Sequence, residues 1–167
     1  MTSITNLVDH YNLLPHPEGG YFAQTYCSTD IIGGECLPDR FSGNRPISTA
    51  IYFLLGKGDF SAFHRIKSDE CWHFYAGHTL MIYVIQPDCS MTITQLGSNI
   101  LEGEVFQYVI PAGCWFASEP GPDSDYSFVG CTVTPGFDYE DFELASSKYL
   151  SKKYPQHEAI IQRLCRI

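Results

Sequence analysis

The chain has 167 residues, enough for one packed domain and short for two. Hydrophobic residues make up 44% and aromatics 14%, which supplies a core and excludes a disordered chain. With 19 acidic against 10 basic residues the net charge is −9, so there is no basic footprint for a phosphate backbone or an anionic lipid surface; neither nucleic acid nor membrane is expected as a partner.

Ile4, Leu7, Val8 and Tyr11 recur at helical spacing behind Ser3 or Thr2 as a cap, and predict a short amphipathic helix ending before Pro15. Pro15-His16-Pro17-Glu18-Gly19-Gly20 reads as a sharp turn into the first strand. Glu18 could reach a barrel mouth from there, but the turn is the simpler account. Beyond it the period drops to two. Strands are expected at 21–26, 48–55, 61–66, 70–75, 80–86, 91–96, 105–110 and 126–133, bounded by Gly, Pro, Asp or Ser. Short strands at this spacing predict an antiparallel sandwich or barrel.

Residues 31–45 show no period and carry Gly33, Gly34, Pro38, Gly43 and Asn44, so they read as a long loop of the kind that borders a site. The run 138–143 alternates acids with aromatics and reads as a solvated edge. Pro155 followed by Ala159, Ile160 and Leu164 at helical spacing predicts a closing helix. With no repeat or linker, residues 1–167 form one domain.

Neither a signal-like start nor an apolar run of membrane-spanning length is present, so a cytoplasmic location is expected. The 7 cysteines are an odd, scattered number with no Cys-x-x-Cys pair and read as reduced thiols. The Lys-Ser/Thr phosphate loop and the Gly-x-Ser-x-Gly elbow are both missing, which leaves nucleotide and serine hydrolysis without support.

Gly58 to Gly77 resembles the first cupin motif, G-x5-H-x-H-x3-E-x6-G, with His64 and Glu70 in place and Ile66 where the second histidine belongs. Gly103 to Phe116 resembles the second motif, with Pro111-Ala112-Gly113 as its turn and Phe116 in place of its histidine. The strings His16 to Phe22, Ser48 to Leu55, Phe63 to Glu70, Pro111 to Ser118 and Gly130 to Phe137 are similar to a narrower group, the cupin 5 family, a domain of unknown function. Gln24, Cys27 and Cys71 depart from that pattern. The resemblance implies an all-β fold, a cupin double-stranded β-helix or jelly-roll barrel with short N- and C-terminal helices. It also implies a homodimer built through a sheet augmented across a two-fold axis.

Of the four ligands of a metal cupin only His64 and Glu70 remain, and two N/O ligands are a weak anchor, so no metal or other cofactor is expected. His73, three residues beyond Glu70 on the same strand, should face outward. The remaining reading is an apolar cavity with a few polar groups, a small-molecule site. Trp72, Cys114 and Phe116 would line it, with polar tips from Ser48, Tyr52 and Gln107. A metal-independent isomerase or epimerase acting on a sugar-like metabolite would use His64 as base and Glu70 or Tyr83 as acid. The alternatives are a non-catalytic ligand-binding module and a metal-dependent cupin enzyme with a reduced ligand set.

Overall fold

Strand alternation gives this chain one inside and two outsides, each lined by its own set of apolar residues. The computed structural model describes residues 3–166. In chain order the elements are α1 (Ile4–Tyr11), β1 (Leu14–Pro15), β2 (Tyr21–Cys27), β3 (Ile31–Ile32), β4 (Arg45–Pro46), β5 (Thr49–Gly56), β6 (Ser61–Arg65), β7 (Asp69–Gly77) and β8 (Leu80–Ile85). Then come β9 (Met91–Leu96), β10 (Gln107–Ile110), β11 (Trp115–Pro120), β12 (Tyr126–Thr134), β13 (Glu143–Leu144), α2 (Ser147–Lys153) and α3 (Glu158–Arg163).

A six-stranded sheet in the order β1-β2-β5-β12-β7-β10 faces a five-stranded one in the order β13-β6-β11-β8-β9. This is the expected cupin barrel. Between the sheets Phe53, Leu55, Trp72, Ile82, Val84 and Phe116 pack as one buried cluster. On the far side of the five-stranded sheet Phe63, Tyr83, Ile85 and Trp115 meet Leu150, Ile161 and Leu164 of the C-terminal segment. On the far side of the six-stranded sheet Leu54 and Phe128 meet Leu7 and Leu13. Burying a side chain of this kind contributes roughly 1.5–3 kcal/mol, so both helical ends are held by burial.

The Ser3 hydroxyl caps α1 by accepting the Asn6 N–H at 3.1 Å; Thr2, the alternative cap, lies outside the described residues. The tail differs from expectation in having two helices. Ser146 caps an unforeseen α2, and Pro155 opens a 3-10 turn just before α3. The loop 31–45 contains a two-stranded ribbon of β3 and β4, whose two-residue strands are too short to show a period. β11 follows directly on the Pro111-Ala112-Gly113 turn and pairs with both β6 and β8. That places Phe116 opposite His64. No helix among the described residues is long and apolar enough to cross a membrane.

Candidate functional site

The turn before β2 is pinned against β6. The Gly19 and Gly20 backbones have positive φ, 120° and 70°, and a Cβ on Gly19 would collide with the Phe60 carbonyl. Only glycine allows so close an approach. The Glu18 carbonyl accepts from Ala62 N–H at 2.8 Å and from Arg166 Nε–H at 3.0 Å. Pinned there, the Glu18 side chain turns into the barrel and is only 6% exposed. The expected sharp turn is present, and it also delivers a buried acid, the reading set second to it.

Inside, Glu18 Oε2 stands 3.0 Å from His64 Nε2, while His64 Nδ1 is 2.7 Å from the Ala62 carbonyl. The carbonyl can only accept, so Nδ1 carries a proton, and the carboxylate favours a second one on Nε2. Burial pushes the His64 pKa down, but Glu18 outweighs it and the net direction is up. Burial likewise pushes the Glu18 carboxyl up, and the charge and hydrogen bond of His64 outweigh it, so the net direction is below the ordinary range. The pair is a buried carboxylate–imidazolium. His64 as a neutral base is corrected on this geometry, since both its nitrogens are occupied.

Glu70 has no ion-pair partner among the described residues. Burial above all, with the Glu18 charge assisting and His64 opposing, pushes its carboxyl up to about 7. Cys131 lies beside it, and burial first and Glu70 second hold that thiol far above its usual range, hence protonated. Burial also lowers the pKa of His16, whose Nδ1 accepts the Glu18 N–H at 3.3 Å. That leaves its proton on Nε2.

His16, Glu18, His64 and Glu70 share one cavity of about 210 Å³, with Gln24 and Thr49 as further polar lining and Ile51, Ile66 and Val133 as walls. Phe137, Tyr139 and Phe142 line it as well. Their rings stand edge to face, with centroids 5.0 to 6.3 Å apart. The run 138–143 is thus more than a solvated edge. Asp141 is 5% exposed and takes a two-point contact from Arg45, Nε to Oδ2 at 2.7 Å and Nη2 to Oδ1 at 2.7 Å.

Of the residues expected to build the site, His64 and Glu70 meet in this cavity. Trp72, Cys114 and Phe116 belong to the barrel core behind it, with the Phe116 ring 4.1 Å from the His64 ring. Tyr83 faces the opposite way, packs against the C-terminal helices and donates its hydroxyl to Glu119 at 2.8 Å. It cannot be the acid, because Ile82 and Val84 take the inward phase of β8. Tyr52 packs under α1, Gln107 bonds His73 Nδ1 on the outer sheet face, and Ser48 bonds the Val133 carbonyl; none of the three lines the cavity. His73 faces outward as expected.

The donor set does not fit a resident metal. Both His64 nitrogens are engaged, by the Ala62 carbonyl and by Glu18, and Ile66 and Phe116 have no lone pair to offer. No group of three or more His, Cys, Asp or Glu among the described residues is arranged to hold a metal ion.

Two facing antiparallel sheets with a polar cluster sunk between them, at the positions of the first cupin motif, define a cupin. Within that superfamily the chain belongs to the cupin 5 family, described as Cupin superfamily (DUF985), whose profile matches residues 5–145. It is 30% identical over 149 residues to the uncharacterized protein YML079W of Saccharomyces cerevisiae, covering 84% of this chain and 74% of that one. Its structure is similar to that of protein SO0799 from Shewanella oneidensis, with TM-score 0.89, 39% identity and 99% of each chain covered. A hypothetical protein from Leishmania major gives TM-score 0.88 and 34% identity, again with 99% of each chain covered. Oxalate decarboxylase from Bacillus subtilis shares the fold at TM-score 0.54 and 12% identity, over 90% of this chain and 36% of that one.

Proposed function

We propose that this cupin binds a small polar metabolite in the barrel cavity and moves a proton at a carbon next to a carbonyl, as an isomerase or epimerase without a resident metal. The observation that carries this reading is Glu70, a buried carboxyl with a pKa of about 7 that opens on the same cavity as the Glu18–His64 pair. A base poised near the working pH is what proton abstraction from carbon needs. In the step, ionised Glu70 takes the C–H proton and the bonding pair moves toward the carbonyl to give an enolate. His16 Nε2–H or the Tyr139 hydroxyl donates to the enolate oxygen; Glu70 then returns its proton to the neighbouring carbon while the same donor takes back a proton from the enediol hydroxyl on the first carbon, which completes an isomerisation with no co-reactant. The Glu18–His64 pair holds the field at Glu70 and the turn in place.

The test is exchange of substrate C–H for deuterium in D₂O, followed by NMR across a set of small aldoses, ketoses and hydroxyketones. Glu70→Gln is expected to lose 10²–10⁴-fold of any exchange found; exchange at the wild-type rate in that variant would sink the assignment. A binding-only reading draws on the fact that both His64 nitrogens are already satisfied, as in a structural pair. It predicts a ligand recovered unchanged. We also infer that the chain forms a homodimer through the open β10 edge, beside which Tyr75 and Val109 are exposed.

A further inference from the structure

The charge balance inside the cavity limits what can enter it. No lysine or arginine lines it among the described residues. Its one cation, His64, is already neutralised by Glu18 at 3.0 Å. What remains is polar and uncharged: the His16 ring, the Gln24 amide, and the hydroxyls of Thr49 and Tyr139. The Thr49 hydroxyl oxygen accepts the Phe137 N–H at 2.9 Å and keeps its own proton to donate. Glu70 completes the set as a carboxyl 8% exposed and without an ion-pair partner.

We infer that the ligand of this cavity is an uncharged, hydroxylated molecule of monosaccharide size or smaller, and that carboxylates, phosphates and ammonium compounds are excluded. This rests on the reading of the cavity as the substrate site and adds the class of substrate. An anion would enter a desolvated space with no counter-ion, facing two carboxyl groups. Burying a charge without a partner is among the most costly transfers a protein makes. An ammonium group would have Glu70 to meet it, since the Glu18 charge is taken up by His64 at 3.0 Å, and burial holds much of Glu70 in its neutral form below pH 7. Hydroxyl groups both donate and accept, so they suit an amide, two hydroxyls and a neutral imidazole without leaving a charge behind. The rings of Phe137, Tyr139 and Phe142 offer flat apolar faces for the C–H side of such a ligand. At about 210 Å³ the cavity lies below the roughly 300–1,000 Å³ of drug-sized pockets, which excludes a buried nucleotide.

The experiment uses the full-length protein at pH 6.5 and matched probes of one shape: D-galactose, D-galacturonate and D-galactosamine, and the smaller set lactamide, lactate and 1-amino-2-propanol. Binding is read as a shift of the His64 ring signals by ¹H–¹⁵N NMR, which locates the probe in the cavity. In at least one set the uncharged member is expected to bind at least 10-fold more tightly than either charged one. A charged member binding as tightly as its uncharged counterpart, or no probe moving the His64 signals at 50 mM, would overturn the inference. Deuterium exchange followed in the same samples separates the two ideas. Binding of an uncharged probe without exchange counts against proton transfer and leaves the ligand class standing; exchange of a charged probe does the reverse.

Discussion

Glu70 should make the stability of the whole fold depend on pH. Its carboxyl titrates near 7 in the folded chain and near 4.5 when unfolded, so between those values the unfolded chain gives up a proton that the folded chain keeps. The contribution of Glu70 therefore falls as pH rises from about 4.5 to about 7 and is flat beyond, a loss of order 3 kcal/mol. Glu70→Gln removes the titration. The variant should match wild type in urea unfolding at pH 4.5 and exceed it by about 2–3 kcal/mol at pH 8; equal stability at both pH values would mean that Glu70 is not desolvated as described. His64 and Glu70 were legible in the sequence because the first cupin motif fixes their spacing on adjacent strands. Glu18 was not, since Pro, Glu and paired Gly describe a turn equally well whether its acid faces water or the barrel. What decides is the contact with β6, a long-range fact that no local pattern carries.

Among the elements, strand phase accounts for most of what the sequence misplaced. A slip of one residue moves a side chain to the opposite face, and Tyr83 and Tyr52, taken as inward, stand on the outer phases of β8 and β5. Both strands are apolar on each face because helices cover their backs, so alternation does not tell inside from outside. In the run 138–143 the alternating acids mask Tyr139 and Phe142, which with the preceding Phe137 line the cavity, and Asp141, which faces Arg45. This buried pair anchors the segment that brings Phe142 to the cavity wall. Asp141 also faces Lys67 Nζ at 3.3 Å, while Arg45 has only the exposed Glu140 at 3.7 Å besides, so Asp141→Asn should cost about 3 kcal/mol in chemical unfolding. The double variant Arg45→Met/Asp141→Leu should recover most of that loss, and additive single and double costs would mean that the pair does not act as a unit.

At the scale of the molecule the question is what meets the outer face of the six-stranded sheet beyond α1. β10 is its outermost strand, and an open strand edge is a template for pairing with another chain. Tyr75 and Val109 are 50% and 51% exposed along this side, and Tyr75 lies across Gly130, where any Cβ would strike its ring. Exposed apolar side chains beside an open edge suit a second copy of the same chain, since a two-fold axis pairs like with like. The chain is expected to elute as a dimer at micromolar concentration by light scattering. Val109→Glu places like charges against each other across the axis and should give a monomer with an unchanged circular dichroism spectrum. Because neither Tyr75 nor Val109 is among the residues that line the cavity, that monomer should retain wild-type ligand binding. A wild-type monomer would remove the dimer, and a Val109→Glu monomer that has lost binding would show that the partner shapes the site.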